Sequence, residues 1–142
     1  MPQDNAEAVR WFRKAANQNV AEAQFNLGVL YDNGSGVPQN NAEALKWYRK
    51  AADQGHAEAQ NSLGVSYALG EGVPQDNAEA VRWFRKAANQ NVVEAQHNLG
   101  VFYEEGDGVA QDYAEAMKWY RKAADQGFQE AKAALEELKR NR

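Results

Sequence analysis

The sequence predicts an all-α chain built as a stack of helix pairs, and three observations predict it. Tryptophans stand at Trp11, Trp47, Trp83 and Trp119, each 36 residues from the next, in one recurring text: AEAVRWFRKAA, AEALKWYRKAA, AEAVRWFRKAA, AEAMKWYRKAA. A period of this size marks a single supersecondary unit, repeated so that each copy buries its apolar face on a neighbour. Composition agrees. Alanine supplies 26 of 142 residues while Thr, Ile and Cys are absent, leaving Val as the only β-branched residue beside abundant helix formers. Finally, two stretches in every period carry apolar residues at helical spacing.

In chain order, the first element is a helix of the second type, here called B, over about residues 4–18. The next is a helix of the first type, A, in AEAQFNLGVLYDNG, where Ala23, Leu27, Leu30 and Tyr31 fall on one face. A B helix follows in NAEALKWYRKAADQG, with Ala44, Tyr48, Ala51 and Ala52 aligned and Leu45 and Trp47 widening the stripe. Neither type is long enough to stand alone in water. A and B then alternate to a closing A-type helix over about 128–140.

The punctuation fits this order. Each B helix opens on an acid or amide followed three residues later by Glu: Asp4/Glu7, Asn40/Glu43, Asp76/Glu79 and Asp112/Glu115. That is a capping-box pattern, which satisfies free first-turn amides. Each B helix ends at Asn19, Gly55, Asn91 or Gly127, residues that accept a left-handed backbone most easily. The A-to-B connections GSGVPQ, GEGVPQ and GDGVAQ bend at paired glycines, with Val37, Val73 and Val109 as apolar anchors.

Glycine recurs inside helix A at Gly28, Gly64 and Gly100. There it costs roughly 1 kcal/mol against alanine, so the spacing predicts a helix crossing without room for a Cβ. In the last period Glu136 replaces that glycine and Lys139 replaces the packing Tyr31. The closing helix therefore reads as a solubilising cap, with Phe128, Leu135 and Leu138 inward and Glu136, Glu137, Lys139 and Arg140 toward water. The first helix has no such adaptation: from Gln3 to Val20 it matches the third-period helix letter for letter. An outer helix with an inner helix's Trp11 and Phe12 is expected to be sticky or frayed, and self-association through it is one expected contact.

Without cysteine the chain has no disulfide and no thiolate metal site. It shows no signal peptide and no membrane span, so membrane insertion is not expected. Its opening, Met1-Pro2-Gln3-Asp4, falls in mid-motif, which reads as an excised segment and leaves bacterial cytoplasm, periplasm and secretion all open. The net charge of −4 argues against nucleic acid as partner. Twelve of the sixteen basic residues lie on B helices, and that ribbon is the one feature suited to an anionic surface. The Glu104-Glu105-Gly106-Asp107 cluster lacks the spaced oxygens of a calcium loop and reads as a solvated loop. His56 and His97 occupy different repeat positions, and Ser35, Ser62 and Ser66 have no base set beside them in the pattern. No catalytic residue, metal or cofactor is expected.

The text AEAQFNLGVLYDNGSGVPQNNAEALKWYRKAADQG, and above all LGxxYxxGxGVPQ…A…W…KAA, resembles a Sel1-like repeat, a relative of the tetratricopeptide repeat, across essentially residues 1–142. The resemblance implies a right-handed superhelix of antiparallel helix pairs, A helices on the concave side and B helices on the convex side. It also implies an adaptor that binds other proteins. One cysteine-rich branch, linked to penicillin binding and β-lactamase activity, carries a disulfide per repeat; a chain with no cysteine departs from it, leaving a β-lactam- or cell-wall-related enzyme as the remote alternative.

Transferring the exposed A-helix positions of that fold, aligned on the LG pair, gives a candidate peptide groove. It comprises Glu22, Phe25, Val29, Asp32 and Asn33, then Glu58, Asn61, Val65, Ala68 and Leu69, then Glu94, His97, Val101, Glu104 and Glu105. Acidic with apolar spots, it is expected to prefer a peptide carrying Lys or Arg beside an apolar anchor.

Overall fold

The computed structural model describes residues 4–141. Met1, Pro2, Gln3 and Arg142, where the mid-motif opening and the outer limits of the array fall, lie outside the described residues. Among those described, the secondary structure is entirely helical: α1 (Asn5–Asn17), α2 (Ala21–Asn33), α3 (Asn41–Asp53), α4 (Ala57–Leu69), α5 (Asn77–Ala88), α6 (Val93–Glu105), α7 (Tyr113–Asp125) and α8 (Gln129–Arg140). The chain divides into two compact units, Met1–Gln75 and Asp76–Arg142. Within each, consecutive helices pack on one another, most extensively α2 on α3 and α6 on α7.

Local chemistry sets the helix limits. The side chains of Asn40, Asp76 and Asp112 accept the amides of Glu43, Glu79 and Glu115 at 3.1 Å. Asp4 instead accepts from Ala6 at 2.9 Å, one residue earlier. Asn19 and Asn91 take φ of 68° and 70° after α1 and α5, as the end signal predicts. The loop glycines have a steric duty as well. A Cβ on Gly36 or Gly108 would lie 2.4 Å from the Asn5 or Asn77 carbonyl, so only glycine lets the A-to-B loop touch the preceding B helix.

The helix-A glycines do what their position implies. A Cβ on Gly28 would come within 2.7 Å of the Tyr48 ring, and one on Gly100 within 2.6 Å of Tyr120. Around this crossing Trp47 is 6 % exposed and belongs to the cluster formed with Val9, Ala16, Ala23 and Leu27. Trp83 and Trp119 are buried too, whereas Trp11 is 62 % exposed. Three indoles are core; the first is surface.

Buried amides add specificity. Gln24 and Gln96 donate to the carbonyls of Ala16 and Ala88 at 3.1 and 3.2 Å. In turn Gln54 and Gln126 donate to their side-chain oxygens at 2.9 and 2.8 Å. Arg13, Arg49 and Arg85 each donate to a tyrosine hydroxyl, of Tyr31, Tyr67 and Tyr103. In α8 the polar residues Glu136, Glu137, Lys139 and Arg140 are exposed while Leu135 and Leu138 are buried.

Candidate functional site

All fifteen sequence-nominated residues lie on α2, α4 and α6, and none is buried. Helical spacing puts Glu22, Phe25, Val29, Asp32 and Asn33 along one stripe of α2. The corresponding stripe of α4 carries Glu58, Asn61, Val65, Ala68 and Leu69, and Leu69 is 63 % exposed. In the second unit α6 presents Glu94, His97, Val101, Glu104 and Glu105. The last two belong to the helix rather than to a loop: Gly106 is its C-cap, so the solvated-loop expectation fails for them. α2, α4 and α6 contain no Lys or Arg, so these acids have no basic Lys or Arg partner on their own helices.

Two of the acids are partly engaged. Tyr48 donates its hydroxyl to Asp32 at 3.2 Å, and Tyr120 donates to Glu104 at 2.7 Å. Burial first, and the facing carboxylate second, push both phenols well above their usual range, so each remains a donor. Burial, then the neighbouring Asp107, raises Glu105.

At the start of the first unit's stripe, sequence reasoning missed a small constellation. His56 is the N-cap of α4: its Nδ1 accepts the Ala59 amide at 3.1 Å. The ring proton therefore sits on Nε2, which donates to Glu22 at 2.8 Å. Phe25 stacks on the imidazole at 4.9 Å between ring centres and is tilted against Tyr48 at 5.8 Å. The interrupted pattern Gly55, His56, Gly127, Phe128 hides this role, because the histidine occurs once.

Among the described residues, Glu22, His56 and Glu58 bring three potential metal ligands within 4.8 Å. The hydrogen bonding opposes a metal here. A neutral imidazole bound through Nε2 must carry its proton on Nδ1, which is already accepting the Ala59 amide. Binding would break the helix cap.

At the repeat position of Phe25, the second unit carries His97. It is tilted against Tyr120 at 5.5 Å and Phe128 at 5.3 Å, with Nδ1 buried and lacking a hydrogen-bond partner. Burial lowers its pKa, opposed by Glu130. His56 and His97 thus sit at different repeat positions in different settings, a helix cap and a mid-helix half-buried ring.

The B helices carry the opposite charge. Lys46, Arg82 and Lys118 pair with Glu43, Glu79 and Glu115 at 3.9, 3.1 and 3.6 Å. Lysine ammonium groups also lie over the indoles, Lys46 at 5.1 Å and Lys50 at 5.8 Å from the Trp47 ring centre. Among the described residues, no helix is long and apolar enough to cross a membrane.

Comparison with known proteins accounts for this architecture. The Sel1 repeat model matches residues 1–20, 21–56, 57–92 and 93–128. No match was found among curated proteins. Among solved structures, a protective antigen of uropathogenic Escherichia coli displaying an SLR fold is 42 % identical, with a TM-score of 0.94 over 97 % of this chain. A Sel1 repeat protein from Oxalobacter formigenes is 40 % identical, with a TM-score of 0.87 over 94 % of the chain. The chain spans 30 % and 54 % of the lengths of those two proteins. Helicobacter pylori cysteine rich protein B is 25 % identical, with a TM-score of 0.72, and the match covers 91 % of this chain and 92 % of that one. Sel1 repeat proteins are in general protein-interaction modules and typically not enzymes. With its helix pairs, its 36-residue period and four matched segments, this chain belongs to the Sel1 repeat family.

Proposed function

We propose that the chain is a non-enzymatic adaptor whose A-helix surface binds a protein segment bearing Lys or Arg beside an apolar anchor. One observation carries the reading: among carboxylates, α2 and α4 leave Leu69 exposed and Phe25, Val29 and Val65 half-buried, with no basic residue on either helix. Glu22 and Glu58 would receive the cation, while Phe25 and Leu69 would take the apolar group. α6 offers a second acidic stripe through Glu94, Val101, Glu104 and Glu105, with His97 as its aromatic residue.

Fluorescence anisotropy with a panel of labelled peptides tests this. Peptides pairing Lys or Arg with Leu or Phe should bind at least tenfold more tightly than acidic ones of equal hydropathy, about 1.4 kcal/mol. The advantage should shrink with salt. The Phe25→Ala, Leu69→Ala double variant should lose it while keeping its helix content. Equal binding of acidic and basic peptides would sink the assignment.

A second reading, assembly through the N-terminal face, is favoured by the 62 % exposure of Trp11.

A further inference from the structure

We infer that α1 pairs two copies of this chain antiparallel across a two-fold axis, giving a closed dimer rather than a fibre. The inference rests on the assembly reading and adds its geometry.

The other end of the chain rejects α1. Where α3 stacks in repeat register, Tyr48 passes over Gly28; α7 does the same with Tyr120 over Gly100. A single Cβ at those glycines would already come within 2.7 and 2.6 Å of the rings. Phe12 occupies the tyrosine position in α1, and Glu136 occupies the glycine position in α8. A second copy stacked head-to-tail would press Phe12 into the Glu136 side chain and desolvate the ion pair that its carboxylate makes with Lys139 at 4.0 Å. Open-ended growth is therefore disfavoured.

The α1 face complements itself. Around Trp11 lies a shallow depression of about 270 Å³ lined by Glu7, Arg10, Trp11 and Lys14. An antiparallel pair centred between positions 10 and 11 sets Glu7 opposite Lys14 of the second copy. It also sets Trp11 opposite that copy's Arg10. Every acid then meets a base and every indole meets a cation, a contact this chain already uses where Lys46 and Lys50 lie over Trp47. Parallel pairing in register sets Glu7 on Glu7 and Lys14 on Lys14, so charge selects the two-fold arrangement. A stable dimer buries about 800 Å² on each partner. One helix face offers less, so the expected association is weak, on the order of 100 µM.

Sedimentation equilibrium from low-micromolar to near-millimolar protein reads this directly, with circular dichroism as the check on folding. A reversible monomer–dimer transition is expected, moved at least tenfold to higher concentration by Trp11→Ala. Glu7→Lys should abolish it, and adding Lys14→Glu should bring it back. Helix stability cannot produce that rescue, because each reversal opposes the α1 macrodipole and the double variant should be the less stable. A chain that stays monomeric throughout overturns both the dimer and the assembly reading. Growth beyond dimer, or a double variant that does not recover, overturns the two-fold geometry alone. None of these outcomes bears on peptide binding by α2 and α4, which is measured separately.

Discussion

Residues 5–20 and 77–92 carry the same letters, NAEAVRWFRKAANQNV, in two different surroundings. Both fold as helices, α1 and α5, both start at an Asp cap, and both end on an asparagine near φ 70°. Their burial separates them. Trp83 is 3 % exposed and Phe84 1 %, whereas Trp11 is 62 % exposed and Phe12 is only part-buried. Ala80 and Ala87 are fully buried while Ala8 and Ala15 are not. Identical sequence thus fixes the local helix and leaves its stabilisation to whatever packs against it. An aromatic of this size covers about 150–250 Å², worth on the order of 4–6 kcal/mol at ~25 cal/mol/Å². With Trp11 62 % exposed against 3 % for Trp83, the first helix forgoes roughly three-fifths of that, ~2–4 kcal/mol.

The largest expected effect follows from substituting the two tryptophans. Trp83→Ala should destabilise the protein by about 3–5 kcal/mol, as large aromatic deletions in cores do. Trp11→Ala should stay within about 0.5 kcal/mol, as at other surface positions. Urea titration of both variants at a concentration below any dimerisation checks the contrast, and equal losses would break it. Next, amide hydrogens of α1 should exchange about a hundredfold faster than those of α5, a gap of ~2.8 kcal/mol in local opening. Equal protection of the twins would mean that packing around Trp11 is not what separates them.

α2 and α6 should instead behave alike, because their crossing geometry is the same. Alanine in place of a helix glycine normally stabilises by up to ~1 kcal/mol. At Gly28 and Gly100 the added methyl meets a tyrosine ring inside 2.8 Å, so overpacking of about 1–3 kcal/mol should win. Both variants should lose roughly 1–2 kcal/mol by the same titration. A stabilised Gly100→Ala protein would show that Tyr120 moves aside freely.

The fold was legible because its signals are local and repeated: the Trp period, the Asx caps, the Asn and Gly helix ends, the charges of α8. Polar pairing was less so. Glutamine is mostly a surface residue, yet Gln24, Gln60 and Gln96 are 1 %, 5 % and 1 % exposed. Their recurrence at one position, and its change to the exposed Lys132 in the cap, was the available signal. A second signal lay in paired substitution. Asp32 and Glu104 accept hydroxyls from Tyr48 and Tyr120, and where the intervening period has Ala68 its B helix has Phe84. The hydroxyl occurs with the acid and disappears with it. For the candidate stripes, what was legible is that their positions escape full burial, since that needs only helical spacing. The His56–Glu22–Phe25 cluster was not, because it joins side chains 34 residues apart through a histidine present in one period only.

The smallest expected effect comes from the sharpest difference between α2 and α6, Phe25 against His97. Burial favours the neutral imidazole and lowers its pKa from the ordinary 6.5, while Glu130 pulls the other way. In the unfolded chain His97 keeps its ordinary value, so between the two pKa values the unfolded state binds more protons. The stability held by the neutral ring is complete above about pH 6.5 and is lost as pH falls toward the folded-state pKa, below which the curve levels. His97→Phe installs the residue that the first unit uses at this position and removes the titration. Urea midpoints of the two proteins, compared across pH 8 to 5 (a span of about one histidine titration), isolate the effect, because the carboxylates common to both cancel in the difference. The native chain should lose ground to the variant as the solution is acidified. Parallel curves would show that His97 is solvated well enough to charge without cost, and that burial at this position differs less between the two units than the ring contacts imply.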